Sequence, residues 1–106
     1  MTTLEFLTKK NKIERLEIII RRYKLYCLRL IKRRELTEEQ IKAYEAYKDK
    51  FETCLACLED FEAKCIVNTF MHKKFYWWEN YYSDAQYYRY RTKAVFNFVD
   101  RFNSED

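Results

Sequence analysis

Two clusters of side chains in this sequence have types and spacings that chemistry uses. The first is Cys54-Leu55-Ala56-Cys57, followed by Cys65 and His72. Thiolates and an imidazole can complete a tetrahedral zinc site, and two thiols separated by two residues also match the spacing of a redox dithiol. The pair falls inside a stretch of helical periodicity rather than on a turn, and Cys54 and Cys65 lie on its apolar stripe. Thiols so placed are expected to be core residues with no metal. The redox motif needs a strand–helix–strand setting that is absent here. His72 has no Ser, Cys or carboxylate arranged around it as a catalytic constellation, so it reads as a surface connector residue and no enzymatic chemistry is expected.

The second cluster spans residues 75–90, where nine aromatic side chains occur: Phe75, Tyr76, Trp77, Trp78, Tyr81, Tyr82, Tyr87, Tyr88 and Tyr90. Rings interleaved with Arg89, Arg91 and Lys93 can stack on unpaired bases, and rings are also the natural filling of a small helical core. About half are expected to be core, with Tyr76, Tyr82 and Tyr88 the candidates for exposure. Arg89 and Lys93 stand four residues apart and share one helical face. A guanidinium suits guanine edges bidentately, whereas an ammonium meets phosphate as a point charge.

The elements that must carry these residues follow from composition and period. The 106 residues contain no Gly and no Pro, which excludes glycine-rich phosphate loops and disfavours folds built on tight hairpins. An all-α single domain over residues 1–106 is expected, with no cofactor. No run approaches the ~20 apolar residues that cross a bilayer, and no signal-peptide core is evident. A cytoplasmic, reducing setting without membrane contact is therefore expected, with free thiols.

The net charge of +4 is unevenly spread: residues 1–34 carry +8, residues 35–62 carry −6 and residues 63–106 carry +2. Residues 4–34 read as one amphipathic helix with Ile13, Leu16, Ile20, Tyr23, Cys27 and Leu30 as its seam, widened by Ile19, Tyr26 and Ile31. Thr37 with Gln40 spells a capping box that starts a second helix reaching the low sixties. The short connection and opposite charges predict an antiparallel helical hairpin over 4–62. Residues 61–71 keep a helical period, either continuing the second helix or following a kink near Glu59-Asp60; 72–74 form a connector, 75–82 form a short ring-dense helix, and Ser83 caps a last helix to about Phe102. Tyr87, Tyr90, Ala94, Val95, Phe98 and Phe102 are its expected buried stripe.

This order of elements is helix-turn-helix grammar over residues 61–102. The stretch Tyr82-Ser83-Asp84-Ala85-Gln86-Tyr87-Tyr88-Arg89-Tyr90-Arg91-Thr92-Lys93-Ala94-Val95-Phe96 resembles the recognition helix of sigma-factor region 4. It is more similar still to that of the small phage late-gene and autolysin regulators of Gram-positive bacteria and mollicutes. The shared pattern is Tyr-Ser, three residues, Tyr-Tyr-Arg, three residues, Lys-Ala. Trp77-Trp78 replaces the usual start of the first motif helix, and Tyr81 stands where a small residue is common.

The resemblance implies a sequence-specific transcriptional regulator that binds double-stranded DNA, with RNA polymerase as a further partner. Ser83 would cap the helix beside a phosphate. Asp84, Ala85 and Gln86 would face base edges, Arg89 and Lys93 would reach bases or backbone, and Thr92 belongs to the same set. Lys73 and Lys74 would clamp the backbone. The alternative is a non-enzymatic helical assembly protein that forms a homo-oligomer through its N-terminal hairpin.

Overall fold

The computed structural model describes residues 3–104, apart from the side chain of Phe6. The protein is all-α, with no strand among the described residues. Helix α1 (Thr3–Ile31) is followed by one 3₁₀ turn (Arg33–Glu35), α2 (Glu38–Ala56), α3 (Asp60–Lys64) and α4 (Asp84–Ser104). Helix α3 runs directly into a π-helical stretch, Cys65–Met71.

The first connection is built by local chemistry. Lys32 leaves helical geometry at φ −106°, ψ 53°, so α1 stops at Ile31, short of the expected residue 34. Thr37 then caps α2: its Oγ1 accepts from the Gln40 N–H at 3.2 Å, and Gln40 Oε1 accepts from the Thr37 N–H at 2.9 Å. Two otherwise orphaned amides are satisfied reciprocally. Thr37→Ala is expected to lose about 0.5–2 kcal/mol, read as a lower urea midpoint at unchanged slope.

Helices α1 and α2 meet through rings and hydrogen bonds whose partners descend along α2 as α1 ascends. Tyr23 stacks on Phe51 at 4.0 Å, Tyr26 meets Tyr47 edge-on at 5.0 Å, and Arg29 donates to the Tyr44 hydroxyl at 2.6 Å. Arg33 pairs with Glu45, joining the basic segment to the acidic one. Ile31 does not widen the seam as expected; it is 78% exposed, because the chain leaves the helix there.

The second helix ends at Ala56 rather than in the low sixties. Glu59, extended at φ −61° and ψ 152°, separates it from α3, so of the two expected alternatives residues 61–71 follow a break near Glu59-Asp60 and do not continue α2. Helix α4 lies against α1, α2 and α3 and closes the core with Tyr87, Ala94, Val95, Phe98, Val99 and Phe102. These pack with Leu16, Ile19, Ile20, Phe51 and Ile66. Tyr90, expected on the buried stripe, is half-buried.

Among the described residues Glu62 is the one charged side chain that is buried, 2% exposed. Asn97 of α4 donates to both of its carboxylate oxygens, at 3.0 and 3.1 Å. A buried polar group left without its partner costs about 1–3 kcal/mol. Asn97→Ala is expected to lower stability by that amount in chemical unfolding, and a variant as stable as wild type would mean that Glu62 finds water instead.

The expected short helix over 75–82 is not formed. Lys73 and Tyr76 sit in the left-handed region, at φ 52° and 48°. The chain has no glycine to place at these two positions. Residues 75–82 are instead a succession of turns, with the Glu79 N–H bonded to Tyr76 O and the Tyr81 N–H to Trp78 O. Ring packing on α4 decides this segment. Trp78 lies flat on Tyr87 at 3.6 Å and 4°, and the Trp77 indole donates to Thr69 Oγ1 at 2.9 Å.

Candidate nucleic-acid interface

The N-terminal half of α4 and the segment leading into it hold every side chain expected to touch a partner. Ser83 starts the helix by a second capping box. Its Oγ accepts from the Gln86 N–H at 3.2 Å, and Gln86 Oε1 accepts from the Ser83 N–H at 3.1 Å. Asp84 accepts from the Trp78 indole N–H at 3.3 Å. The Thr92 hydroxyl donates back to the Tyr88 carbonyl at 2.9 Å.

These contacts divide the expected residues. Ser83, Asp84, Gln86 and Thr92 use their polar atoms inside the protein, where they start α4 and tie the Trp78 turn to it. Ala85, Arg89 and Lys93 are exposed, and so are Lys73 and Lys74. Among the described residues no ion pair involves Arg89 or Lys93. The helix therefore presents two solvated cations on one face, while Tyr87, Ala94, Val95 and Phe98 bury the other.

Folding adds neighbours that spacing alone does not reveal. Lys9, from the first turns of α1, lines one shallow groove with Tyr88, Arg89, Lys93 and Phe96. Lys12, one turn further along α1, pairs with Asp100 and lies over the Phe96 ring, which holds α1 alongside α4. The only hint in the sequence is the basic bias of residues 1–34. Lys9 raises the positive field around Arg89 and Lys93, which favours anions.

Lys73 and Lys74 sit beyond the π-helical stretch, where the Lys74 N–H bonds back to Asn68 O at 2.8 Å. Both line one cleft with Arg91 of α4 and with Tyr76 of the turns that precede it. Arg91 is half-buried, with its guanidinium 5.0 Å from the Phe70 ring. Of the rings expected to be exposed, Tyr76 and Tyr88 are, whereas Tyr82 is half-buried against Phe61 at 4.1 Å.

The Tyr87 hydroxyl is raised above the ordinary tyrosine range by burial, against the opposing effect of its 2.7 Å hydrogen bond to Thr69. It stays neutral and structural. Of the cysteines, Cys54 and Cys65 are buried, Cys27 is half-buried and Cys57 is exposed, and none of the four is joined in a disulfide. Burial, reinforced by the Glu62 carboxylate, pushes the Cys65 thiol up to about 12, so it is not a thiolate at neutral pH. Among the described residues no three His, Cys, Asp or Glu side chains come together to hold a metal ion. No described helix is long and apolar enough to cross a membrane.

Comparison of the chain with protein-family models, with curated proteins and with solved structures finds no match.

Proposed function

We propose that this chain is a sigma-region-4-like transcriptional regulator that binds double-stranded DNA with the exposed face of α4. The observation that carries the reading is the pair Arg89 and Lys93. Both are exposed and without an ion-pair partner among the described residues, on a capped helix whose opposite face is the core, with Lys9 beside them. Helix α4 is laid in the major groove with Ala85 toward the bases; Arg89 reads a base edge or grips backbone, and Lys93, Lys9, Lys73 and Lys74 meet phosphates. Helices α1 and α2 act as an antiparallel hairpin that buttresses α4. The first motif helix in this reading is the continuous 60–71 segment, joined to α4 by a connection longer than the usual three- or four-residue turn. No catalysis is involved. The setting is the cytoplasm, and RNA polymerase is the partner that the resemblance adds.

One observation favours a second reading, self-association through the N-terminal helices. Leu28 is 64% exposed, and Leu4, Leu25 and Ile31 are exposed with it on α1. Affinity for duplex fragments recovered from a random pool, measured across salt concentrations, separates the two. A groove binder shows log K falling linearly with log salt, at about −0.9 per phosphate neutralised. Absence of duplex binding at low salt, with a concentration-dependent rise in mass, would leave the assembly reading in its place.

A further inference from the structure

Phe75 is 88% exposed and Tyr76 60% exposed, so the core gains little from either ring. The Phe75 ring meets that of Tyr76 edge-on at 5.4 Å, and Tyr76 is in turn tied to the fold. The backbone enters the left-handed region at Lys73 and again at Tyr76, which is unfavourable for residues with a Cβ. Such strain, where the surrounding packing enforces it, is a pointer to function. The Tyr76 ring lies 5.4 Å from that of Trp78, and Trp78 is fixed by its stack on Tyr87 and its bond to Asp84. Tyr88 also meets Trp78 edge-on at 6.4 Å, with the Arg91 guanidinium 5.9 Å from its ring.

Between these rings is a cleft of about 440 Å³ lined also by Lys73, Lys74 and Arg91. Against these three cations its lining holds one carboxylate, Glu17 of α1. Ring faces bordered by cations suit a ligand that is flat and anionic at once. An apolar peptide would leave the cations opposite hydrocarbon, whereas a nucleotide supplies a π-face for the rings and a phosphate for the cations. Tyr88 lines both this cleft and the groove of Arg89 and Lys93, so the two surfaces are continuous.

We propose that this cleft is a stacking site for unpaired bases of single-stranded DNA, with Phe75, Tyr76 and Tyr88 as platforms and Lys73, Lys74 and Arg91 on the phosphates. The choice of DNA rests on the duplex reading above, which the cleft extends to a strand that has left the duplex.

The test titrates the full chain with a labelled single-stranded oligothymidylate and, separately, with the selected duplex, by fluorescence anisotropy. Wild type is expected to bind the oligothymidylate and to show quenching of indole fluorescence, because Trp78 lines the cleft. Phe75→Ala/Tyr76→Ala is expected to weaken that binding by about five- to 150-fold per stacked base and to leave duplex affinity unchanged. Tyr76→Phe is expected to retain it. Both rings are exposed, so far-UV circular dichroism and the melting midpoint of the double variant should match wild type. Should that variant unfold, quenching in wild type still decides, and its absence overturns the proposal. Oligothymidylate binding that is absent, or untouched by ring removal, overturns the stacking site alone if duplex binding persists; loss of both overturns the duplex reading as well. Self-association of wild type that ring removal abolishes would assign the cleft to a second copy and overturn the proposal.

Discussion

Arg89→Ala is expected to cost about 1–3 kcal/mol of duplex binding and to relax sequence preference at one base pair. The reasoning starts from α4. Arg89 and Lys93 lie one turn apart on its exposed face, and no ion pair among the described residues must be broken before they reach DNA. Arg can bond a guanine edge through two parallel N–H groups, a geometry that the wrong base cannot satisfy. Lys93→Ala is expected to act differently, weakening all sequences alike and lowering the salt slope by about one unit. The two changes share a field with Lys9, so their joint effect need not equal the sum of the separate ones. Competition binding of the selected duplex and of single-base variants, in each protein, measures both effects. Neither side chain contributes to the core, so both variants should melt with wild type. A folded Arg89→Ala/Lys93→Ala variant that binds duplex DNA as well as wild type would remove α4 as the reading element and leave the assembly reading.

The largest effect on stability is expected from Trp78→Ala, about 3–5 kcal/mol, the usual cost of removing a large buried ring. That is a substantial share of the roughly 5–15 kcal/mol that holds a domain of this size folded. Trp78 is buried, stacks on Tyr87 at 3.6 Å and donates to Asp84 at the first turn of α4. Its loss removes the stack, frees the Asp84 carboxylate and releases the 75–82 turns from the helix they pack on. Trp78→Phe keeps most of the ring face and removes only the N–H donor. It is expected to cost about 0.5–1.5 kcal/mol, the low end being favoured by the 3.3 Å length of that bond. Urea unfolding of the two variants checks the ranking. Equal losses would mean that the indole N–H, not the stack, anchors the segment.

Much of this architecture was legible in residue order because the signals that produced it are local. The absence of glycine and proline leaves helix as the economical way to satisfy the backbone, and the described residues contain no strand. Both capping boxes join residues three apart, Thr37 with Gln40 and Ser83 with Gln86, so the starts of α2 and α4 are written in adjacent residues. The buried stripe of α4 follows helical period at Tyr87, Ala94, Val95, Phe98 and Phe102, because one helix face must leave water together.

What the tertiary structure alone decided lies where side chains distant in sequence compete with local preference. The sequence predicts a short helix over residues 75–82, yet stacking of Trp78 on Tyr87 of α4 and the bond from Trp77 to Thr69 of the π-helical stretch draw the rings onto those two elements, and the segment forms turns. The same packing brings the Trp78 indole N–H to the Asp84 carboxylate, although Asp84 itself remains exposed. Lys9 reaches the Arg89 groove only because α1 packs along α4, a contact across eighty residues that no short-range pattern encodes. Spacing along a helix fixes which residues share a face; what that face meets is set by the packing of whole helices, where burial of rings outweighs the preferences of single turns.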